Sequence, residues 1–167
     1  MDCYHYLYKN FDAEKRAFRV FVENIPFYGF AAMCVDHPEV QALCSQVEDR
    51  RIVTYGLNPN ADISAENIKF GPGGSVYDVV LRAPAYSGKR IQGVSIRMPG
   101  NHNVQNSLAA FIVGVELGIE HETIVSGLSQ FSGVERRFST TGVVGGVTII
   151  DDYAHHPVEI KAVLDAT

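Results

Sequence analysis

The stretch Phe30–Leu57, FAAMCVDHPEVQALCSQVEDRRIVTYGL, decides the fold class. Phe30 to Val35 is an apolar run of strand length preceded by Gly29. Asp36 is placed to cap a helix whose first turn holds Pro38 and Glu39. Val40, Leu43 and Val47 recur at helical spacing and form its inner face. Arg51 to Leu57 returns to the β-branched and aromatic composition of a strand. Strand, helix and strand in such close succession predict a parallel crossover, so the expected class is α/β.

Upstream, Asp12 to Ile25 reads as a helix capped by Asp12, with Ala17, Phe18, Phe21, Val22 and Ile25 on one face. Pro26 stops it. Downstream, Ala61–Phe70, Ser75–Arg82 and Ile91–Met98 read as three strands in an antiparallel patch, with turns at GPGGS (Gly71–Ser75) and Pro84–Arg90. Two helices follow. The first spans Asn101–Leu117, with Val104, Leu108, Phe111, Ile112 and Val115 inward. The second spans His121–Phe131, with Ile124, Val125, Leu128 and Phe131 inward. Gly118 and Gly133 stand where C-terminal caps belong. Strands return at Phe138–Val144 and Val147–Ile150 around a Gly145–Gly146 hairpin turn. A helix then starts near Pro157. The domain boundary is expected at Arg136–Arg137, giving residues 1–136 and 137–167.

Bulk properties narrow the function. Hydrophobic residues make up 46% of the 167 and charged residues 20%, enough apolar material for a core. The formal net charge is −5 and no lysine or arginine run occurs, which argues against a nucleic-acid partner or an anionic membrane surface. No apolar run approaches the roughly 20 residues of a membrane span, and the N-terminus lacks the pattern of a secretory signal. Cys3, Cys34 and Cys44 have no metal-binding spacing and read as free thiols. A cytoplasmic location is the expectation.

Three stretches can carry chemistry. In PGNHNVQN (Pro99–Asn106) a helix begins where a strand ends, so unpaired N–H groups are available. Asn103 and Asn106 share a face, and each offers a donor and an acceptor, as a purine edge does. The competing reading is that Asn101 or Asn103 only caps the helix. GVERRF (Gly133–Phe138) places adjacent arginines at the expected junction. A guanidinium fork suits phosphate, but from the residues alone a solvated pair on a surface connector is the simpler reading of Arg136 and Arg137. In IIDDYAHHP (Ile149–Pro157) an apolar strand ends in acids, an aromatic and two histidines. Ligands gather beyond such carboxyl ends, and a carboxylate there can accept from ribose hydroxyls. A plain turn with a helix N-cap competes. His155–His156 lacks the spacing of a metal pair, so no residue is assigned to a metal. GPGGS and Ser87-Gly88-Lys89 do not complete a phosphate loop.

MDCY, NIPFYGFAAMCVD, IVTYG, MPGNHNVQNSLAA, FSGVERRF and IIDDYAHHPVEI occur in this order, and together they resemble the Mur ligase family. The resemblance covers nearly the whole chain. It favours the branch that joins L-alanine to UDP-N-acetylmuramate over the related ligase that recycles murein peptides. It implies a partial central ATP-binding domain, with a mixed sheet and flanking helices, followed by the start of a Rossmann-like C-terminal domain. It also implies ATP and Mg2+ as cofactors and an acyl phosphate on the way to the amide. The family's lysine-bearing phosphate loop and its magnesium ligands are expected before Met1, so the chain by itself is expected to be inactive and Met1 to be internal. Residue by residue, the resemblance makes His102, Asn103 and Asn106 the adenine group. Arg137 becomes the phosphate contact, Asp152 the ribose acid, Tyr153 a neighbour of the adenine, and His155 a residue facing the reacting groups. A sheet that lacks its first strands leaves an edge and an apolar face exposed, so self-association, or a partial core closed differently from the parent ligase, is a further expectation. The alternative is a non-catalytic nucleotide-binding or interaction module derived from a truncated Mur ligase.

Overall fold

The structure is a computed structural model that describes residues 10–86, 88–134 and 138–165. Its elements run α1 (Phe11–Glu23), β1 (Ala31–Cys34), α2 (Pro38–Gln46), β2 (Ile52–Gly56), β3 (Ile63–Gly71) and β4 (Gly74–Leu81). A 3-10 turn (Pro84–Tyr86), β5 (Arg90–Ile96), α3 (Asn101–Glu116), α4 (His121–Gln130), β6 (Ser139–Val144), β7 (Val147–Asp151) and α5 (Pro157–Asp165) follow. Five strands form one sheet in the order β1-β2-β3-β4-β5, and β6 pairs with β7. The class is α/β, as the crossover predicts. The strands β3, β4 and β5 join the parallel part of the sheet through β3, which pairs in parallel with β2 at Tyr55↔Ile63 and Gly56↔Ser64. The short link between β3 and β4 admits only antiparallel neighbours, so the sheet is mixed.

The contacts divide the chain into two units. The first comprises the residues through Ser64 together with Val80–Lys89. Here β1 and β2 run parallel from Ala31↔Ile52 to Cys34↔Tyr55. Val22, Ala31 and Val47 are buried, with Ile25, Met33, Leu43 and Ile52 packed against them. Both expected caps are displaced by one or two residues. Asn10, not Asp12, caps α1, its Oδ1 accepting the Ala13 N–H at 2.8 Å. His37, not Asp36, caps α2, its Nδ1 accepting the Glu39 N–H at 3.2 Å. Asp36 instead accepts from the backbone N–H groups of Leu57 and Asn58, at 2.8–2.9 Å, and so ties the end of β1 to the end of β2. Phe18 and Phe21, expected inward, are 52% and 72% exposed, whereas Val22 of the same helix and Ile25 just after it do enter the core cluster. Thr54 and Asp62 bond reciprocally. The Thr54 N–H and hydroxyl donate to Asp62 Oδ2 at 2.8 and 2.7 Å, and the Asp62 N–H donates back at 2.9 Å. Cys34 and Cys44 are free thiols, each pushed up from its ordinary pKa by burial, while Cys3 lies outside the described residues.

The second unit comprises Ala65–Val79 and the residues from Arg90 onward. Val104, Leu108, Phe111 and Ile112 of α3 are fully buried, as their spacing requires, and Ile124 is the buried residue of α4. Phe131 departs from expectation: it is the C-cap of α4 and is 48% exposed. Gly118, at φ 74°, ends α3 as expected, with the Ile119 N–H returning to the Gly114 carbonyl. Gly133 does not cap α4, because the cap has already been made at Phe131; its φ is 92°, and an added Cβ would meet Met98 Sδ at 3.3 Å. Gly145 and Gly146 both have positive φ, the requirement of a type I′ hairpin turn, between β6 and β7.

Candidate functional site

The residues proposed for the adenine edge lie on the first two turns of α3. The N-cap is Gly100, buried at φ 100°, and it offers no side chain to the first-turn N–H groups. The capping alternative for Asn101 and Asn103 is therefore not what the structure shows. Asn103 is fixed from behind: its Nδ2 donates to the Pro99 carbonyl at 2.8 Å. With one donor so used, its Oδ1 remains as acceptor. Asn106, one turn on, is exposed, and His102 is half-buried. All three stand outside the buried stripe of Val104, Ser107, Leu108 and Phe111.

The second group follows β7. Asp152 is half-buried and both of its carboxylate oxygens are engaged. Oδ2 accepts the Phe138 N–H and Oδ1 accepts the Ala154 N–H, each at 2.7 Å. The turn that carries Tyr153 is thereby shaped by the same carboxylate expected to meet a ribose. Tyr153 is 54% exposed, and its ring meets His155 edge-on at 5.2 Å between centroids. His155 Nδ1 lies 3.0 Å from the Tyr153 carbonyl oxygen. His156 has a different task. Its Nδ1 accepts the Val158 N–H at 3.3 Å, while Glu159 Oε2 accepts the His156 N–H at 3.3 Å. That reciprocal pair caps α5, so the turn-and-cap reading holds for His156. The two imidazoles address different backbone partners rather than a common point. Arg137, Arg136 and Ser87 lie outside the described residues.

Sequence reasoning missed Gly100. Its signal was present: a glycine after Pro99 and before a run of asparagine and histidine, at a strand-to-helix junction. It also missed that Asp152 shapes its own loop, which depends on Phe138 being folded back beside it.

Comparison with known proteins adds the following. The sequence pattern of the Mur ligase middle domain matches residues 5–114. The UDP-N-acetylmuramate–L-alanine ligase of Caulobacter vibrioides is 54% identical over 157 residues, covering 94% of this chain and 33% of that protein. The enzyme of the same name from Phenylobacterium zucineum is 55% identical over 159 residues, covering 95% and 33%. The chain thus spans about a third of the length of these relatives. Among solved structures, the UDP-N-acetylmuramate–alanine ligase of Thermotoga maritima superposes with a TM-score of 0.73 at 26% identity, covering 95% of this chain and 34% of that one.

Proposed function

Because the chain belongs to the Mur ligase family, whose middle domain it matches, we propose that it forms the adenosine-binding portion of a ligase joining L-alanine to UDP-N-acetylmuramate in peptidoglycan synthesis. The observation that carries the reading is the 54–55% identity to ligases of that name across nearly the whole chain.

In this reading the uncapped start of α3 supports a nucleotide. Asn103 and Asn106 present the donor and acceptor pair that an adenine edge needs, with His102 beside them. Asp152 takes the ribose, since each carboxylate oxygen has a second lone pair beyond the N–H it already accepts. Tyr153 lies along the base, Arg137 meets phosphate, and His155 faces the reacting groups. ATP, when bound, supplies the phosphoryl group that activates the muramate carboxylate for attack by the alanine amine. Among these 167 residues there is no G-x-x-x-x-G-K-[ST] phosphate loop. We therefore assign the phosphate loop and the Mg2+ ligands to the part of these relatives that this chain does not span, with the 167 residues inactive alone. We also place the boundary between the ATP-binding and amino-acid-binding domains at Arg136–Arg137, and the protein in the cytoplasm.

The test is mass-spectrometric detection of amide product from UDP-N-acetylmuramate, L-alanine and ATP. The expected outcome is turnover by a full-length protein that includes this sequence and none by the 167-residue chain. Turnover only when a murein peptide replaces L-alanine moves the assignment to the recycling branch. No turnover with either, in a full-length protein that binds adenosine, favours a non-catalytic module.

A further inference from the structure

We propose that β4 is the positioning element for the nucleotide-binding segment 99–106, acting through two buried hydroxyls, those of Ser75 and Tyr77. The proposal rests on the adenine reading above.

Ser75 and Tyr77 are two apart on β4, so their side chains leave the same face of the strand, and each is 1% exposed. The Ser75 hydroxyl donates to the Met98 carbonyl at 2.7 Å, immediately before Pro99. The Tyr77 hydroxyl lies 2.6 Å from Ser107 Oγ, immediately after Asn106. Ser107 Oγ donates its single proton to the Val104 carbonyl at 2.6 Å, so the Tyr77 hydroxyl is the donor of the pair. One strand therefore grips both ends of PGNHNVQN. From the first grip the path runs through Pro99, whose carbonyl receives Asn103 Nδ2. From the second it runs through Ser107 to the carbonyl of Val104, between Asn103 and Asn106.

Apolar packing cannot supply this alignment. The stripe of Val104, Leu108, Phe111 and Ile112 is drawn inward by a non-directional force, which tolerates small rotations of α3 about its axis. Residues on a helix are spaced by about 100°, so a modest rotation swings both asparagine amides off a planar ligand. A hydrogen bond is directional, and a buried one that breaks leaves an unsatisfied polar group. The backbone of β4 also approaches closely at Gly74, where φ is 115° and an added Cβ would fall on the Ile96 carbonyl. The glycines of GPGGS, which read as a plain turn in the sequence, thus include the position that lets β4 start against the strand leading into this segment.

The test compares Tyr77→Phe and Ser75→Ala with Val79→Ala in the 167-residue chain. Val79 is fully buried on the same face of β4 and makes no side-chain hydrogen bond, so its truncation loosens the core without removing a hydroxyl. Two readouts are taken: the side-chain amide resonances of Asn103 and Asn106, and adenosine affinity by calorimetry. Tyr77→Phe is expected to move both amide resonances and to weaken adenosine binding roughly fivefold, the scale of one neutral hydrogen bond. Val79→Ala is expected to lower the melting temperature while leaving those resonances in place. Unmoved resonances in Tyr77→Phe, or equal movement in Val79→Ala, overturns the proposal. Where Tyr77→Phe does not fold, Ser75→Ala decides by the same readouts. If the unsubstituted chain does not bind adenosine, the adenine reading fails on its own, and the resonances still decide whether β4 positions the segment.

Discussion

The backbone N–H of Phe138 donates to Asp152 Oδ2 at 2.7 Å, and Phe138 holds a φ of 52°. A bulky side chain in left-handed backbone is strained and persists only where its surroundings hold it there. Asp152 does so from across the β6–β7 pair, while its other oxygen accepts from Ala154. Phe138 directly follows Arg137, so the carboxylate proposed for ribose also fixes the chain next to the arginine proposed for phosphate.

Removing that carboxylate is therefore expected to loosen the hairpin. Asp152→Ala should cost about 1–3 kcal/mol locally, the range for orphaning hydrogen-bonded groups. Hydrogen exchange across β6 and β7 should rise accordingly. Adding Phe138→Gly should recover part of the loss, because glycine needs no support at positive φ. Unchanged exchange in Asp152→Ala would show that the hairpin does not depend on this contact.

Asp36 makes a second such tie in the first unit, between β1 and the residues after β2. Gly56 lies so close that an added Cβ would meet the Asp36 carboxylate. Asp36→Ala should destabilise by about 1–3 kcal/mol in denaturant titration, from the loss of the charge-assisted bonds to the N–H groups of Leu57 and Asn58. Gly56→Ala should also destabilise, and the double variant should lose less than the sum of the two.

Acid should act on the second unit through Asp78. The Asn67 amide, the Gly93 N–H and the Arg90 guanidinium hold its carboxyl below the ordinary range. A folded-state value below the unfolded one gives stability that is present above the unfolded pKa of about 3.9 and is lost as pH falls through the lowered value. Asp78→Asn should therefore flatten the stability–pH curve in that acid window and leave the neutral-to-alkaline slope alone. Parallel acid curves for the two proteins would contradict this.

Phe18, Phe21, Phe27 and Tyr28 of the first unit are 52%, 72%, 93% and 79% exposed. Phe27 and Tyr28 meet edge-on at 5.4 Å between ring centroids, and contiguous exposed aromatic surface favours association. At rising concentration the chain should sediment as more than a monomer, with a second copy covering these rings. Phe21→Glu combined with Phe27→Ser should restore the monomer. A monomer at every concentration before substitution contradicts the expectation.

Much of this fold was legible because burial and periodicity coincide. Val104, Leu108, Phe111 and Ile112 are spaced as a helix face and are all fully buried. The Gly145–Gly146 turn was legible because two adjacent glycines between β-branched runs permit few other backbones. The helix starts were less so. Asn10 and Asp12, or Asp36 and His37, are neighbouring side chains equally able to cap, and only the chain path selects between them. Phe18 and Phe21 misled because periodicity marks an apolar stripe without showing how much of it a neighbour covers. In the candidate site, the residue types of His102, Asn103, Asn106 and Asp152 could be read directly. Gly100, Ser75 and Tyr77, which shape the segment around them, act through contacts distant in sequence or through a backbone angle.

The most direct measurement is calorimetric titration of the folded 167-residue chain with adenosine, ADP and ATP. Binding of all three is predicted, because the adenosine side of the site is proposed to lie on α3 and after β7, with ADP and ATP at least as tight as adenosine because Arg137 is proposed to meet phosphate. Asn103→Ala and Asn106→Ala should each weaken all three alike. A folded chain that binds none of them, or binds ATP without binding adenosine, would contradict the account.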